Sequence, residues 1–184
     1  MKSFFKTCVS SIKTSGTIKP SSKKLINTCL KNLDFSKYNT IVELGPGDGC
    51  VTAEIISRMN GDTKLFSIEI NEAFYAHCTQ RFSDIEKDIV FHKGSAFELQ
   101  DILHKNGIDK VDCIVSSLPL SLFKKEQVED LLRQVKVILG KEGKYVQYQY
   151  SLMNYTFFKR VFSNVNLDMT LVNFPPAFVY HCVV

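Results

Sequence analysis

Short runs of apolar, β-branched residues alternate with segments of helical periodicity along most of the chain. The apolar runs predict strands, and they cover residues 40–44, 64–70, 88–93, 111–117, 143–150, 165–174 and 177–184. Between them, apolar residues recur every three or four positions and predict helices at 51–60, 71–82, 95–106 and 124–140. Strands that alternate with helices of this length predict a doubly wound, mostly parallel sheet with helices on both faces.

The last two apolar runs are connected differently from the others. They are joined only by Phe174-Pro175-Pro176, which is too short for the crossover that parallel strands require. We therefore predict that these two strands pair antiparallel. The expected fold class is α/β, with a mostly parallel seven-stranded sheet that ends in an antiparallel C-terminal hairpin.

An N-terminal segment, residues 1–35, precedes the predicted core, residues 36–184, in what we expect to be a single domain. In residues 1–13 the apolar positions recur at three- and four-residue steps, and the lysines lie largely off that stripe. This pattern predicts a basic amphipathic helix, and Pro20 is placed to start a second helix. The apolar stripe and its flanking lysines include Phe4, Phe5, Lys2 and Lys6.

Charge is distributed unevenly between these two segments. The 184-residue chain has a net charge of +4, but residues 1–37 contain eight lysines and one acidic residue. Such a basic segment indicates an anionic partner, either nucleic acid or a membrane surface. No apolar run approaches the length of a membrane span, and lysines interrupt what would be a signal-peptide core. Six cysteines without a C-x-x-C pair favour reduced thiols in a cytoplasmic protein over a disulfide framework or a zinc site.

A glycine-rich turn follows the first predicted strand and reads Glu43-Leu44-Gly45-Pro46-Gly47-Asp48-Gly49. Cys50 stands where the dinucleotide fingerprint has its third glycine, and the Lys-Ser/Thr pair of a nucleotide P-loop is missing. Glycines at such a turn let backbone N–H groups approach a ligand. Glu43 would repel a phosphate but suit a ligand's ammonium group, contacted directly or through water. Glu69, at the end of the second strand, is placed to accept hydrogen bonds from both hydroxyls of a ribose.

These features fit S-adenosylmethionine (SAM), and here the chain resembles the class I methyltransferases, which have a Rossmann-like fold. The resemblance implies SAM as the cofactor, S-adenosylhomocysteine as the product and no metal. The family often has Gly-Asp-Ala after the third strand, whereas this chain has Gly-Ser-Ala at residues 94–96. The Ser95 hydroxyl or nearby backbone groups would then bind the adenine amine. The predicted cofactor site comprises Glu43, Leu44, Gly45, Pro46, Gly47, Gly49, Glu69, Ile70, Ser95, Ala96 and Ser116.

The stretch SSLPL, residues 116–120, lies at the end of the fourth predicted strand. Ribosomal RNA adenine dimethylating enzymes have Asn-Leu-Pro-Tyr at this place, where the Asn binds the amine and the Tyr stacks on a flipped base. This chain has Ser117 and Leu120 at those two positions, and it ends with its last predicted strand. We therefore expect a small amine as the acceptor and regard nucleic acid as a disfavoured partner.

Several motifs together resemble the soluble, membrane-associating phospholipid N-methyltransferases of bacteria. They are the basic N-terminal segment, the glycine motif, SSLPL, the strand GKYVQYQY (143–150) and the ending PPAFVY (175–180). The resemblance implies methylation of the amine of phosphatidylethanolamine and its partly methylated derivatives. It also implies a cytoplasmic enzyme that associates peripherally with the inner face of the membrane, with an anionic membrane surface and an aminophospholipid as partners. The N-terminal helix would lie in the headgroup plane, and Ser21 and Ser22 would contact the lipid phosphate or cap a helix.

Four residues are candidates for the acceptor side of the site. Ser117 and the carbonyls around Pro119 would orient the nitrogen for in-line attack and assist its deprotonation. Tyr150 and Tyr180 would form hydrogen bonds, line a cation–π cage for a methylated ammonium, or simply pack in the core. Two further functions remain open. One is methylation of another amine, of ornithine lipid or of an rRNA adenine, and the other is a non-catalytic membrane module that retains the fold.

Overall fold

The computed structural model describes residues 22–171 and 176–184, and in these ranges seven strands form one mixed sheet. The strands are β1 (Thr40–Leu44), β2 (Lys64–Glu69), β3 (Ile89–Lys93), β4 (Cys113–Ser116), β5 (Lys144–Gln149), β6 (Asn164–Thr170) and β7 (Ala177–Val183). Their order across the sheet is β3-β2-β1-β4-β5-β7-β6. Strand β7 is antiparallel to both of its neighbours, and the pairs from β3 to β5 are parallel. The predicted fold class, including the antiparallel hairpin, is confirmed.

Six α-helices flank the sheet within the described ranges. They are α1 (Lys23–Leu30), α2 (Cys50–Arg58), α3 (Glu72–Arg81), α4 (Leu99–Lys105), α5 (Lys125–Leu139) and α6 (Tyr155–Val161). Short 3-10 turns cover Phe35–Lys37, Ala96–Glu98 and Leu120–Leu122. Each of the helices α2 to α5 follows the carboxyl end of a parallel strand, so the connecting loops gather at one edge, which we call the carboxyl edge.

The two faces of the sheet bury separate hydrophobic clusters. Along β1, Ile41 packs with helices α1 to α3 on one face, here the α1 face. Val42 and Leu44 point the other way and pack with helices α4 to α6, on the α5 face. Helix α5 buries an apolar stripe on that face and ends at Gly140, whose φ of +65° closes the helix as its sequence predicts.

Helix α6 is an element that the sequence pattern did not predict. It is seven residues long and rich in aromatic residues, so its own helix propensity is weak. Tertiary packing holds it: the Phe158 ring stacks on Tyr180 with a 4.5 Å centroid separation, and the Phe162 ring lies 5.5 Å from Tyr145. Its formation therefore depends on packing against β5, which precedes it, and β7, which follows it.

Helix α1 is the described part of the N-terminal segment. The Ser22 side chain caps it by accepting a hydrogen bond from Leu25 N at 3.2 Å, and His181 Nε2 on β7 lies 3.1 Å from the Thr28 carbonyl oxygen. The capping role considered for Ser22 is thus observed. Phe4, Phe5, Lys2, Lys6 and Ser21 lie outside the described residues. In the part of the chain that the structure describes, no helix is long and apolar enough to cross a bilayer.

Candidate functional site

The glycine loop after β1 lies at the carboxyl edge, where Gly45, Gly47 and Gly49 all have positive φ angles. A Cβ on Gly49 would come within 2.9 Å of the Phe82 ring, so this position requires glycine for space as well as for conformation. At Gly47, by contrast, a Cβ would meet nothing within 4 Å. The loop is therefore closed on the Phe82 side and open above Gly47, where a ligand can approach the backbone.

Backbone hydrogen bonds to β2, to SSLPL and within the turn itself hold the glycine loop in place. Gly45 N donates to the Ile68 carbonyl at 2.9 Å, and Gly49 N donates to the Pro46 carbonyl at 2.9 Å. The Leu44 carbonyl accepts from Ser117 N at 2.9 Å, while the Leu44 side chain is buried in the core of the α5 face. Leu44 and Pro46 thus support the loop through backbone hydrogen bonds and burial.

Glu43 lies beneath the loop rather than facing a ligand. Its side chain has 0% exposure, its carboxylate accepts hydrogen bonds from the Thr52 hydroxyl at 2.8 Å and the Ser67 hydroxyl at 2.9 Å, and it sits on the α1 face. Burial raises the pKa of Glu43 to about 7, an increase that these two hydroxyls partly offset. Direct contact between Glu43 and a ligand's ammonium, one of the two modes predicted from the sequence, is contradicted by this burial.

Glu69 connects the glycine loop to the loop after β2. One carboxylate oxygen accepts from Gly47 N at 3.2 Å, and the other accepts from Asn71 N at 2.7 Å. Burial raises the pKa of Glu69, and hydrogen bonds from the backbone N–H groups of Asn71, Gly47 and Ile70 partly offset the rise. The carboxylate is thus adjacent to the open space at Gly47, where it can accept a further hydrogen bond from a ligand hydroxyl. Its contact with a ribose stays a prediction.

The loop after β3 joins the same edge. Gly94 N donates to the Glu69 carbonyl at 3.0 Å, and the Ser95 side chain accepts from Phe97 N at 3.3 Å at the start of a 3-10 turn. Ala96 is buried under that turn. Because the Ser95 side-chain oxygen accepts only this one hydrogen bond within the described residues, it keeps a second lone pair and its hydroxyl hydrogen for a ligand. The predicted adenine contact is untested.

Acidic side chains dominate the electrostatics of the loop. Glu69 and Asp48 both raise the pKa of Glu43 by repulsion, in addition to the effect of burial. Fixed negative charge around an open glycine loop favours a cationic ligand and disfavours a phosphate. The residues present therefore fit SAM, which carries an ammonium and a sulfonium, better than they fit a dinucleotide. Within residues 22–171 and 176–184, no three His, Cys, Asp or Glu side chains converge to hold a metal ion.

SSLPL packs directly against the glycine loop. The Leu118 side chain lies 3.1 Å from where a Cβ on Gly45 would be. Ser116 is fully buried, and its side chain accepts from Leu118 N at 3.4 Å. The Ser117 hydroxyl makes no hydrogen bond to another residue of the described ranges, so it is available to an acceptor.

Gln147 positions this stretch, and sequence reasoning did not single it out. Its Nε2 donates to the Leu118 carbonyl at 3.0 Å and to the Tyr148 carbonyl at 2.6 Å, and its Oε1 accepts from the Tyr145 hydroxyl at 2.9 Å. Leu120 N also donates to the Leu118 carbonyl, at 2.8 Å. Of the carbonyls considered around Pro119, that of Leu118 therefore has both lone pairs occupied and cannot orient an amine as well. The available signal was the first of the two glutamines in GKYVQYQY, a polar residue within a strand of apolar and aromatic residues.

The remaining carbonyl of SSLPL is less constrained. Pro119 O accepts one hydrogen bond, from Leu122 N at 2.9 Å, and keeps a second lone pair. Ser117 and Pro119 accordingly remain the groups of SSLPL that can contact an acceptor nitrogen.

The structure does not bring Tyr150 and Tyr180 together as the walls of one cage. Tyr180 has no exposed surface, and its ring stacks on Phe158 within the α5 face. Tyr150 is half exposed and lies edge-on to Tyr148, which packs on the α1 face. Packing is therefore the role of the Tyr180 ring, and only its hydroxyl, 3.4 Å from the Ser151 carbonyl, is near the carboxyl edge.

Comparisons with known proteins show the family of the chain. A family model described as a methyltransferase domain matches residues 41–143. The chain is 33% identical to an ornithine lipid N-methyltransferase of Singulisphaera acidiphila over 90% of this chain and 86% of that protein. It is 30% identical to ribosomal RNA small subunit methyltransferase A of Mycoplasma mycoides subsp. mycoides SC, over 64% of this chain but 45% of that protein.

Solved structures share the fold at low sequence identity. A precorrin-6y C5,15-methyltransferase from Geobacter metallireducens GS-15 superposes with a TM-score of 0.71 at 13% identity, covering 89% of this chain and 90% of that one. An N-methyltransferase from Bradyrhizobium japonicum WM9, solved with S-adenosylhomocysteine, gives 0.69 at 12% identity, covering 87% and 83%.

Proposed function

This chain belongs to the class I SAM-dependent methyltransferases, and we propose that it methylates the amine of a membrane lipid, phosphatidylethanolamine and its partly methylated derivatives. Ornithine lipid is a second candidate acceptor, favoured by the relative from Singulisphaera acidiphila. SAM supplies an electrophilic methyl group when it is bound. The glycine loop, Glu69 and Ser95 would hold it at the carboxyl edge.

The acceptor side of the site is suited to a small amine. At Leu120, where the rRNA enzymes have a stacking tyrosine, the side chain is completely buried in the core of the α5 face. It presents no surface on which a nucleobase could stack. The Ser117 hydroxyl and the Pro119 carbonyl would orient the amine nitrogen. Their oxygens would accept a hydrogen bond from the amine N–H while the nitrogen attacks the methyl group.

The observation that best supports a lipid acceptor is an exposed apolar rim around the carboxyl edge. Large apolar side chains protrude from the loops after β4 and β5 and from the end of β6, with exposed fractions between 41% and 70%. Exposed apolar residues gathered on one side of a protein indicate an interaction surface, and here they follow β4, β5 and β6 at the carboxyl edge. The rim consists of Leu122, Tyr150, Leu152, Met153, Met169 and Leu171.

Lysines accompany this rim. Lys124 and Lys125 are exposed at the start of α5, directly after β4. Each lysine near an anionic bilayer contributes about 1 kcal/mol of attraction. Apolar and basic side chains at one edge support docking of the site on an anionic membrane.

Labelled SAM tests the proposal directly. The full chain is incubated separately with vesicles of phosphatidylglycerol mixed with phosphatidylethanolamine, with vesicles containing ornithine lipid, and with ribosomal RNA, followed by extraction and chromatography. Label in mono-, di- or trimethylated phosphatidylethanolamine is expected. Label in ornithine lipid alone would show that the acceptor is ornithine lipid and not phosphatidylethanolamine, and the proposal of a lipid acceptor would stand. Label in RNA with none in either lipid would overturn the proposal.

The rim is tested by a matched pair of variants. Met153 is 66% exposed on the rim, and Val137 is 68% exposed on the outer side of α5 near its end, towards the opposite edge. We expect Met153→Glu to weaken vesicle sedimentation several-fold with no change in SAM affinity, because a carboxylate is repelled by the bilayer. Val137→Glu adds the same charge away from the rim and should sediment like the wild type. Equal sedimentation of both variants and the wild type would show that the rim does not contact the membrane.

A further inference from the structure

The side chains of β5 that face α5 and α6 form a row of polar groups leading to the carboxyl edge. Tyr145, Gln147 and Gln149 alternate along the strand on this face. Tyr145 and Gln147 use their polar atoms in the network that holds the Leu118 carbonyl. Gln149 is the last residue of the strand and the last of this row.

Unlike Gln147, Gln149 makes no side-chain hydrogen bond within the described structure. It is 4% exposed, yet neither its Oε1 nor its Nε2 has a hydrogen-bond partner in residues 22–171 or 176–184. A buried primary amide without partners is costly, and such groups in folded proteins require an explanation. A polar ligand that forms hydrogen bonds with this amide when it enters the site would provide that explanation.

A second unpartnered amide belongs to the same part of the fold. Asn154 is 3% exposed, and its Nδ2 has no partner among the described residues. It immediately precedes Tyr155, whose ring lies 6.1 Å from that of Tyr180. The Tyr180 hydroxyl contacts the Gln149 side chain, although without the geometry of a hydrogen bond, and donates weakly to Ser151 O at 3.4 Å. Two amides and a phenol thus converge on the loop between β5 and α6.

This polar group lies next to the place where the acceptor nitrogen is expected. Gln147 already reaches the Leu118 carbonyl, and Gln149 is two residues further along the strand, about 7 Å nearer the carboxyl edge. That displacement takes it past Leu118 towards Pro119 and the rim. The groups present are neutral, and together they offer both donors and an acceptor.

We propose that Gln149, Asn154 and Tyr180 form a subsite that binds the polar headgroup of the acceptor. Gln149 Oε1 accepts from an amine N–H or a headgroup hydroxyl, and Gln149 Nε2 and Asn154 Nδ2 donate to headgroup oxygens. The ligand class is an aminoalkyl headgroup with oxygen acceptors a few bonds from its nitrogen. This subsite rests on the proposed lipid function, since it names how the acceptor of that reaction is held.

Gln149→Met tests the subsite, because methionine keeps the volume and removes both amide groups. We expect kcat/KM for the lipid to fall about tenfold or more, through KM, since at least one charge-assisted hydrogen bond is lost. SAM affinity should be unchanged. The melting temperature without substrate should rise by about 2–4 °C, because an unsatisfied buried amide is replaced by an apolar group. Gln100→Met, at an exposed position of α4, is the matched control and should behave as the wild type.

The stability readout separates a ligand-binding amide from a structural one. If Gln149→Met lowers the melting temperature, the amide has partners within the fold and the subsite is wrong. Wild-type kinetics in the variant would also overturn it. If the wild type methylates neither lipid, the proposed function fails, and the subsite is then judged on the melting temperature of Gln149→Met alone. A higher melting temperature than the wild type would support an unsatisfied amide at Gln149, and an unchanged one would contradict the subsite.

Discussion

The raised pKa of Glu43 predicts how the free energy of unfolding depends on pH, and the burial of its side chain predicts how its substitution affects SAM binding. Its carboxylate is fully buried, and its pKa rises from the usual 4.5 to about 7. The native state therefore holds a proton that the unfolded chain has already released between these two pH values. Stability is lost as pH rises through this window and is constant above it. The full difference corresponds to about 3 kcal/mol.

Glu43→Gln removes this cost, because an amide has no proton to lose and can still hydrogen bond to the hydroxyls of Thr52 and Ser67. We expect the variant to exceed the wild type in free energy of unfolding by about 3 kcal/mol at pH 8 and by about 1 kcal/mol at pH 5. Urea unfolding at the two pH values measures it, with the midpoint at pH 8 rising by about 1 M or more. Glu86→Gln, at an exposed position, should change stability by less than about 0.5 kcal/mol at either pH.

SAM titration of the same variant tests the burial of Glu43 independently. A carboxylate that contacts only Thr52 and Ser67 should leave SAM affinity within about twofold at pH 6, where the group is protonated in the wild type. A direct contact with the ammonium of SAM would cost roughly tenfold or more on substitution. Such a loss, or no stability gain at pH 8, would refute the burial of this side chain as the structure has it.

Three further outcomes are expected. Gly49→Ala should lower the free energy of unfolding by about 2 kcal/mol or more in urea, because its φ of +78° strains an L-residue and the new Cβ meets Phe82 at 2.9 Å. Gln147→Met should lower the free energy of unfolding by about 1–3 kcal/mol, because the Leu118 carbonyl loses its side-chain donor. It should also lower kcat for lipid at saturating substrate while SAM affinity is unchanged; an unchanged kcat would show that Gln147 is only structural. Deleting residues 1–13 should abolish vesicle binding and preserve SAM affinity, and vesicle binding that survives the deletion would contradict the predicted membrane helix.

Elements whose sequence pattern reports burial directly could be predicted. Strand β1 matches its apolar run at both ends, and the hairpin of β6 and β7 follows from a connection too short for a crossover. Helix α6 could not be predicted, since seven residues with several aromatics form a helix only when Tyr145 and Tyr180 provide the surface against which Phe158 packs.

The site divides in the same way. The glycine loop and Glu69 were recognisable from local spacing, because both lie at strand ends where parallel topology gathers loops. The burial of Glu43 was not recognisable, since it depends on Thr52 and Ser67 reaching it from two other elements. Likewise, the contact of Gln147 with Leu118 joins residues 29 apart and is set by the pairing of β4 with β5.

The two halves of the carboxyl edge are built from different chemistry, and this difference separates their functions. Around the glycine loop, buried carboxylates of Glu43 and Glu69 and a set of backbone hydrogen bonds hold a surface suited to a cation. Beyond SSLPL, the polar side chains near the edge are neutral: Gln149 ends β5, Asn154 lies in the loop between β5 and α6, and Tyr180 is on β7. Gln147 ties β5 to Leu118 and makes no hydrogen bond to Glu69 or to the glycine loop within the described ranges. Acceptor preference can therefore change through the end of β5 and the β5–α6 loop while the cofactor half keeps its hydrogen bonds. Relatives with the same glycine motif but different acceptors should therefore differ mainly in this loop.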